Sequence, residues 1–151
     1  MLGHLGFSYV GLICLLMLII PNMLWASKSA HVLPERRENR ILLTLERIGQ
    51  AGICCTALIF SDFNISSDWP WSIWLILSFA LLVLYEICWV RYFQAPTEEN
   101  FYKSFLWIPL PLASLPAVAF FFLGLYGKVI WLIIAAVLFG IGHIGIHRQN
   151  R

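Results

Sequence analysis

Four side chains that could carry out chemistry lie inside long apolar stretches of the chain: Glu46, Glu86, His143 and His147. A charge at the middle of a bilayer costs on the order of 2.5–3.5 kcal/mol on insertion scales, so each group needs a partner, a water path or a place near the interface. The two histidines stand at positions i and i+4, and therefore share one side of a helix. Carboxylates and imidazoles transfer protons and bind metal ions, so these residues are the candidates for function.

The depth of these groups can be counted along the helices that must carry them. At about 1.5 Å per residue, Glu86 and His143 each lie roughly 22 Å from the start of a predicted helix, and Glu46 lies about 7–8 Å from the start of another. In a hydrocarbon core of about 30 Å these positions share one level, because neighbouring helices run in opposite directions. The sequence thus predicts a polar cluster in the cytoplasmic third of a membrane: Glu46, Arg47, Gln50, Glu86, Arg91, His143 and His147.

Three interpretations of this cluster remain open at the level of sequence. In the first, the carboxylates, arginines and histidines satisfy one another by hydrogen bonds and ion pairs that lock a helix bundle. In the second, they pass protons or cations through a polar vestibule at the cytoplasmic face. In the third, His143 and His147 join Glu46 or Glu86 around a metal ion, as in a membrane enzyme whose site opens to the cytoplasm. No motif identifies a cofactor or a catalytic residue.

The composition decides which kind of protein holds these residues. Of the 151 residues, 60% are hydrophobic and only 12% are charged, whereas an ordinary soluble domain has about 25% charged residues. The net charge of +2 and the absence of a basic block argue against nucleic-acid binding. We therefore expect one small multi-pass membrane domain over residues 1–151.

Five apolar stretches are long enough to cross a bilayer, which predicts an all-α bundle of five spans. Pro109, Pro111 and Pro116 fall in the fourth stretch, where each removes a backbone donor and prevents a straight helix. Such a broken helix either lines a cavity or bends around its neighbours. The five expected spans cover about residues 5–25, 41–60, 71–93, 104–126 and 128–147.

The positive-inside rule gives the expected orientation. Eight basic residues lie on one side of the predicted bundle and only Lys128 lies on the other, which predicts a cytoplasmic carboxyl terminus and an external amino terminus. Four of the eight precede the second span and are candidates for contact with anionic lipid headgroups. The eight residues are Lys28, Arg36, Arg37, Arg40, Arg91, Lys103, Arg148 and Arg151.

Small residues on the first and last spans permit close approach of helix backbones. Gly11 and Gly142 are examples. They serve packing within one monomer, or association into a homo-oligomer or a larger membrane complex.

Several short strings resemble those of a group of small uncharacterised bacterial membrane proteins, to which no activity is attached. They are Gly6-Phe7-Ser8-Tyr9-Val10-Gly11, Ile20-Pro21-Asn22, Ser61-Asp62-Phe63-Asn64 and Gly142-His143-Ile144-Gly145-Ile146-His147. This resemblance implies a bacterial cytoplasmic (inner) membrane. We expect an integral membrane protein that acts as an accessory or transporter-like module, with a membrane-embedded metal-dependent enzyme as the alternative.

Overall fold

In the computed structural model of this chain, residues 1–28, 39–67 and 69–150 are described, and they form an all-helical structure. The predicted all-α class is confirmed for this part of the chain. The helices are α1 (Tyr9–Lys28), α2 (Arg40–Ile59), α3 (Ile73–Gln94), α4 (Glu98–Tyr102), α5 (Pro111–Gly127) and α6 (Ile130–Gln149).

Four of these helices, α1, α2, α3 and α6, are long and apolar enough to cross a membrane, which indicates a multi-pass membrane protein. Many of their large apolar side chains face outward rather than into the bundle, as expected where the surrounding solvent is lipid. Examples are Leu16, Ile20, Ile48, Ile76, Val83, Ile134 and Ile141.

The predicted fourth span differs from the structure, which has no single helix over residues 104–126. Residues 104–110 form an irregular segment, and α5 begins only at Pro111 and has 17 residues. Pro109 and Pro111 cannot donate backbone hydrogen bonds, and a residue that precedes a proline avoids the helical conformation. Leu110, between these two prolines, has a positive φ of 52°. The short helix α4 was also not anticipated.

The helices pack most extensively as the pairs α2–α6, α3–α5 and α5–α6. Two glycines bring α2 and α6 into backbone contact. A Cβ atom added to Gly49 would lie 2.2 Å from the backbone nitrogen of Phe139, and one added to Gly142 would lie 2.3 Å from that of Glu46. These approaches hold Glu46 directly against α6.

The two ends of the bundle differ in character. One end carries Asp62, in the turn after α2, and is here called the Asp62 end. At this end the backbone nitrogen of Ile130 donates to the carbonyl oxygen of Met1. The other end carries Lys28, Arg40 and Arg148 and is here called the basic end. Because α6 runs from Ile130 towards Arg148, Met1 and Asn150 lie at opposite ends of this helix.

Candidate functional site

The centre of the candidate site is a hydrogen bond between α2 and α6. The distance between Glu46 Oε1 and His143 Nδ1 is 2.5 Å, and the two side chains are only 19% and 17% exposed. Glu46 lies about 9 Å along α2 from Arg40, which is the basic end of that helix. A carboxylate and an imidazole from different helices therefore meet inside the bundle, towards the basic end.

His147 extends this pair by one helical turn. Its ring centroid lies 4.5 Å from that of His143, and its other face stacks on Phe101 of α4 with centroids 5.3 Å apart. His143 in turn stacks on Phe139 at 4.8 Å. The aromatic rings fix the orientation of both imidazoles, so that Glu46, His143 and His147 form a continuous row.

This row borders a cavity of about 290 Å³ that is lined by residues of all six helices, α1 to α6. Polar groups reach the cavity from α1 and α2 as well as from α6, and aromatic rings form much of its wall. Its volume is near the lower end of the range of small-molecule sites. The lining residues are Leu18, Asn22, Trp25, Glu46, Gln50, Trp89, Phe101, Leu112, Phe139, His143, Ile146 and His147.

Asn22 of α1 is fixed in this wall by its own side-chain amide. Its Nδ2 atom donates to the carbonyl oxygen of Leu18 and to the hydroxyl of Tyr85, each at 2.7 Å. The adjacent Pro21 cannot donate a backbone hydrogen bond, which weakens the helix ladder at this turn. Because Nδ2 donates both bonds, the amide oxygen of Asn22 remains available as an acceptor in this lining residue.

One of the two indole groups in the same wall is not satisfied by the protein. The Nε1 atom of Trp25 is buried without an acceptor among the described residues. That of Trp89 is also buried and outside good hydrogen-bonding geometry, but it interacts with the hydroxyl of Tyr85. Trp89 as a whole is only 3% exposed. A buried donor without a partner costs about 1–3 kcal/mol, so such groups in a native protein call for an explanation.

Three residues of the predicted cluster lie elsewhere. Glu86 borders a separate groove with Ile13, Leu16, Met17 and Ile20, and its carboxylate has no hydrogen bond or salt bridge to a described residue. The α3 side chain next to the cavity is instead Trp89, three residues further on. The groove thus places this carboxylate between α1 and α3.

The two arginines of the predicted cluster also lie outside the cavity. The guanidinium group of Arg91 donates to the carbonyl oxygen of Lys103 at 3.0 Å and lies 5.0 Å from the centroid of Phe105. It therefore supports the connection between α4 and α5. The side chain of Arg47 is exposed.

The described residues contain no group of three or more His, Cys, Asp or Glu side chains that could hold a metal ion. Of the four predicted ligands, Glu46, His143 and His147 form a row in which Nδ1 of His143 is engaged by Glu46 itself. Glu86 borders a different groove. The arrangement is one Glu46–His143 hydrogen bond, with His147 in ring contact with His143, beside a cavity.

The aromatic part of this site was not predicted from the sequence. The predicted cluster contains no aromatic side chain, so it includes none of Trp25, Trp89, Phe101 and Phe139. One signal was available, because an asparagine beside a proline in an apolar helix marks a polar position at a helix defect. Pro21 and Asn22 form such a pair on α1.

A second ionisable pair lies outside the helices, at the Asp62 end. The carboxyl group of Asp62 accepts from the backbone nitrogen of His4 at 2.5 Å and contacts His4 Nδ1 at 2.8 Å. Burial of the carboxyl group raises the pKa of Asp62, but the hydrogen bonds and the charge of His4 outweigh this effect and hold the pKa below its usual value. This contact fixes the amino-terminal segment to the turn after α2.

Comparisons with protein families, with curated proteins and with solved structures found no match to this chain.

Proposed function

We propose that this chain is a five-span, transporter-like module of a bacterial cytoplasmic membrane, and that it binds and passes a proton or a small cation through the cavity at its basic end. Three features of the described residues support the proposal: the topology, the position of the cavity and the polar row in its wall. The amino terminus is proposed to lie outside and the carboxyl terminus in the cytoplasm.

The proposed fifth crossing is α5. Its 17 residues extend about 26 Å, slightly less than the hydrocarbon thickness of about 30 Å. The irregular segment before it supplies the missing length at the basic end. In that segment Trp107 is fully exposed, as suits an aromatic side chain at the headgroup level.

The single observation that carries the functional proposal is the Glu46–His143 hydrogen bond inside a cavity. Within hydrocarbon, a carboxylate is retained at a cost and is usually found on an ion or proton path. The side chain of Gln50, one turn from Glu46, is exposed at the bundle surface and lines the cavity. We propose that water reaches the pair at this point. An imidazole beside the carboxylate provides a second site for the proton.

The basic residues before α2 remain proposed contacts for anionic lipid. Lys28 and Arg40 are exposed at the basic end, which supports this role. Arg36 and Arg37 lie outside the described residues.

The test is cation and proton flux in liposomes that contain the purified protein. Glu46→Gln keeps the shape of the side chain but removes its charge, so we expect flux to be lost. Glu86→Gln is the matched control, because it makes the same change in a groove away from the cavity, and its flux should equal that of the wild type. Flux that is absent from the wild-type protein, or that falls equally in both variants, would overturn the proposal.

A further inference from the structure

The wall of the cavity combines aromatic rings with a single carboxylate. Trp25, Trp89, Phe101 and Phe139 all border it, and Glu46 is the one carboxylate among its lining residues. The faces of aromatic rings attract cations, and the attraction is stronger where water is excluded. The wall is therefore complementary to positive charge that is spread over a carbon-rich surface.

The charges of the lining residues also favour a positively charged ligand. Among the described residues, no lysine or arginine lines the cavity. His143 occupies Oε1 of Glu46, and no described residue bonds to the other carboxylate oxygen. With the amide oxygen of Asn22, that atom gives the cavity two acceptors for a cationic ligand. An anion would find neither a lysine nor an arginine fork among the described lining residues.

The unpartnered indole group of Trp25 adds a second requirement. Its N–H donor is buried without an acceptor among the described residues, and its side chain lines this cavity. A cation without any acceptor atom would leave this donor unsatisfied. A ligand that also carries an oxygen would satisfy it.

We propose that this cavity binds a small organic ammonium ion that carries a hydroxyl, ether or carbonyl oxygen. Glu46 and the aromatic rings receive the ammonium group, and the indole N–H of Trp25 donates to the oxygen. The volume of about 290 Å³ suits a small amine better than a drug-sized molecule. The inference deepens the proposed function and rests on it, since it names the class of cation that the vestibule takes.

Choline is a suitable probe, because it joins a quaternary ammonium group to a hydroxyl group. Binding of radiolabelled choline to the full-length protein in detergent micelles is measured by equilibrium dialysis. We expect saturable binding, and we expect the neutral isostere 3,3-dimethyl-1-butanol to compete at least about tenfold more weakly, because it lacks the charge. Absence of saturable binding, or equal competition by the neutral alcohol, would overturn the inference.

Variants then test which side chain binds the ammonium group of the ligand and which binds its oxygen. Glu46→Gln should weaken choline binding about tenfold or more, because it removes a charged partner, whereas Glu86→Gln should not change it. Trp25→Phe keeps an aromatic ring but removes the donor, and should weaken choline about threefold to tenfold while leaving tetramethylammonium unchanged. Equal weakening by the two glutamate variants would overturn the inference, as would equal loss of both ligands in Trp25→Phe.

Gel filtration establishes that each variant is folded before binding is measured, and Trp25→Phe tests the site independently of Glu46. The failures of the two proposals are distinguishable. Flux that depends on Glu46 without choline binding would overturn the ligand class and leave the proposed function in place. Choline binding without flux would overturn transport and leave the binding site in place.

Discussion

Glu46 Oε1 and His143 Nδ1 lie 2.5 Å apart, and their hydrogen bond joins α2 to α6 inside the bundle. Because both side chains are mostly buried, removal of one partner leaves the other without its hydrogen bond. We expect the double-mutant cycle of Glu46→Ala and His143→Ala to show a coupling free energy of about 0.6–1.7 kcal/mol, which spans the average and the largest values for polar pairs in membranes.

The coupling is obtained from the free energy of unfolding in mixed micelles for the wild type, both single variants and the double variant. Destabilisations that add to within about 0.3 kcal/mol would show that the two side chains do not interact.

Gly142 sets the distance between the helices that carry this pair. A Cβ atom at this position would lie 2.3 Å from the backbone nitrogen of Glu46, so Gly142→Ala must move α2 away from α6. We expect the free energy of unfolding to fall by about 1–3 kcal/mol, as for other overpacked sites.

Gly140→Ala is the matched control for this change. It lies on the same helix, and its added Cβ would meet only the Cβ of Ala117 at 3.3 Å. We expect this variant to keep wild-type stability within about 0.5 kcal/mol. Equal losses in the two variants would contradict the close approach at Gly142.

The Asp62–His4 contact predicts a pH dependence at the opposite end of the protein. The pKa of Asp62 is lowered in the folded state, so the contact stabilises the fold fully above the pKa of the unfolded state, which is about 3.9 for an aspartate. This contribution falls as the pH drops below that value and is lost once the pH is below the folded-state pKa.

Thermal unfolding of the wild type and of Asp62→Asn in the same detergent, between about pH 6 and pH 3, checks this expectation. The asparagine variant should be less stable near pH 6, and the difference should shrink towards pH 3. A difference that grows as the pH falls would mean that the sign of the shift is wrong.

Trp107 combines full exposure with a strained backbone. Its φ is 67°, and its side chain is 100% exposed, so it contributes little packing to the fold. The left-handed conformation costs a non-glycine residue about 1–2 kcal/mol. Trp107→Gly should therefore raise the free energy of unfolding in detergent by about 1 kcal/mol.

Trp107→Ala removes the same ring without relieving the backbone, and is expected to leave stability close to that of the wild type. A gain in the alanine variant equal to that in the glycine variant would show that the ring, rather than the positive φ, is the source of the cost.

The sequence predicted four long apolar helices correctly, because length and hydropathy are sufficient to identify segments that cross hydrocarbon. The start of the predicted fourth span, at residue 104, was wrong, because α5 begins at Pro111. Its prolines were recognised as a defect, but the 17-residue length of α5 depends on how the chain turns at Leu110. That turn is set by tertiary packing, because the side chain of Leu110 is buried.

The candidate site could be predicted only in part. Counting residues along α2 and α6 placed Glu46 and His143 at one depth, and the structure brings them into contact. The same count placed Glu86 at that depth, but depth does not determine which neighbour a helix face meets. The rotation of α3 puts Trp89 beside the cavity and Glu86 in the groove next to α1.

The proposed function requires the cavity beside Glu46 to be open to water from the basic end of a membrane-spanning bundle. This access is tested by modification of Gln50→Cys with a membrane-impermeant thiol reagent, in sealed vesicles of each orientation and in a variant that lacks the four native cysteines. We predict modification from the side of the basic loops and none of Val83→Cys, a matched exposed position in the middle of α3. Modification of Gln50→Cys from the Asp62 side alone, or from neither side, would contradict the account.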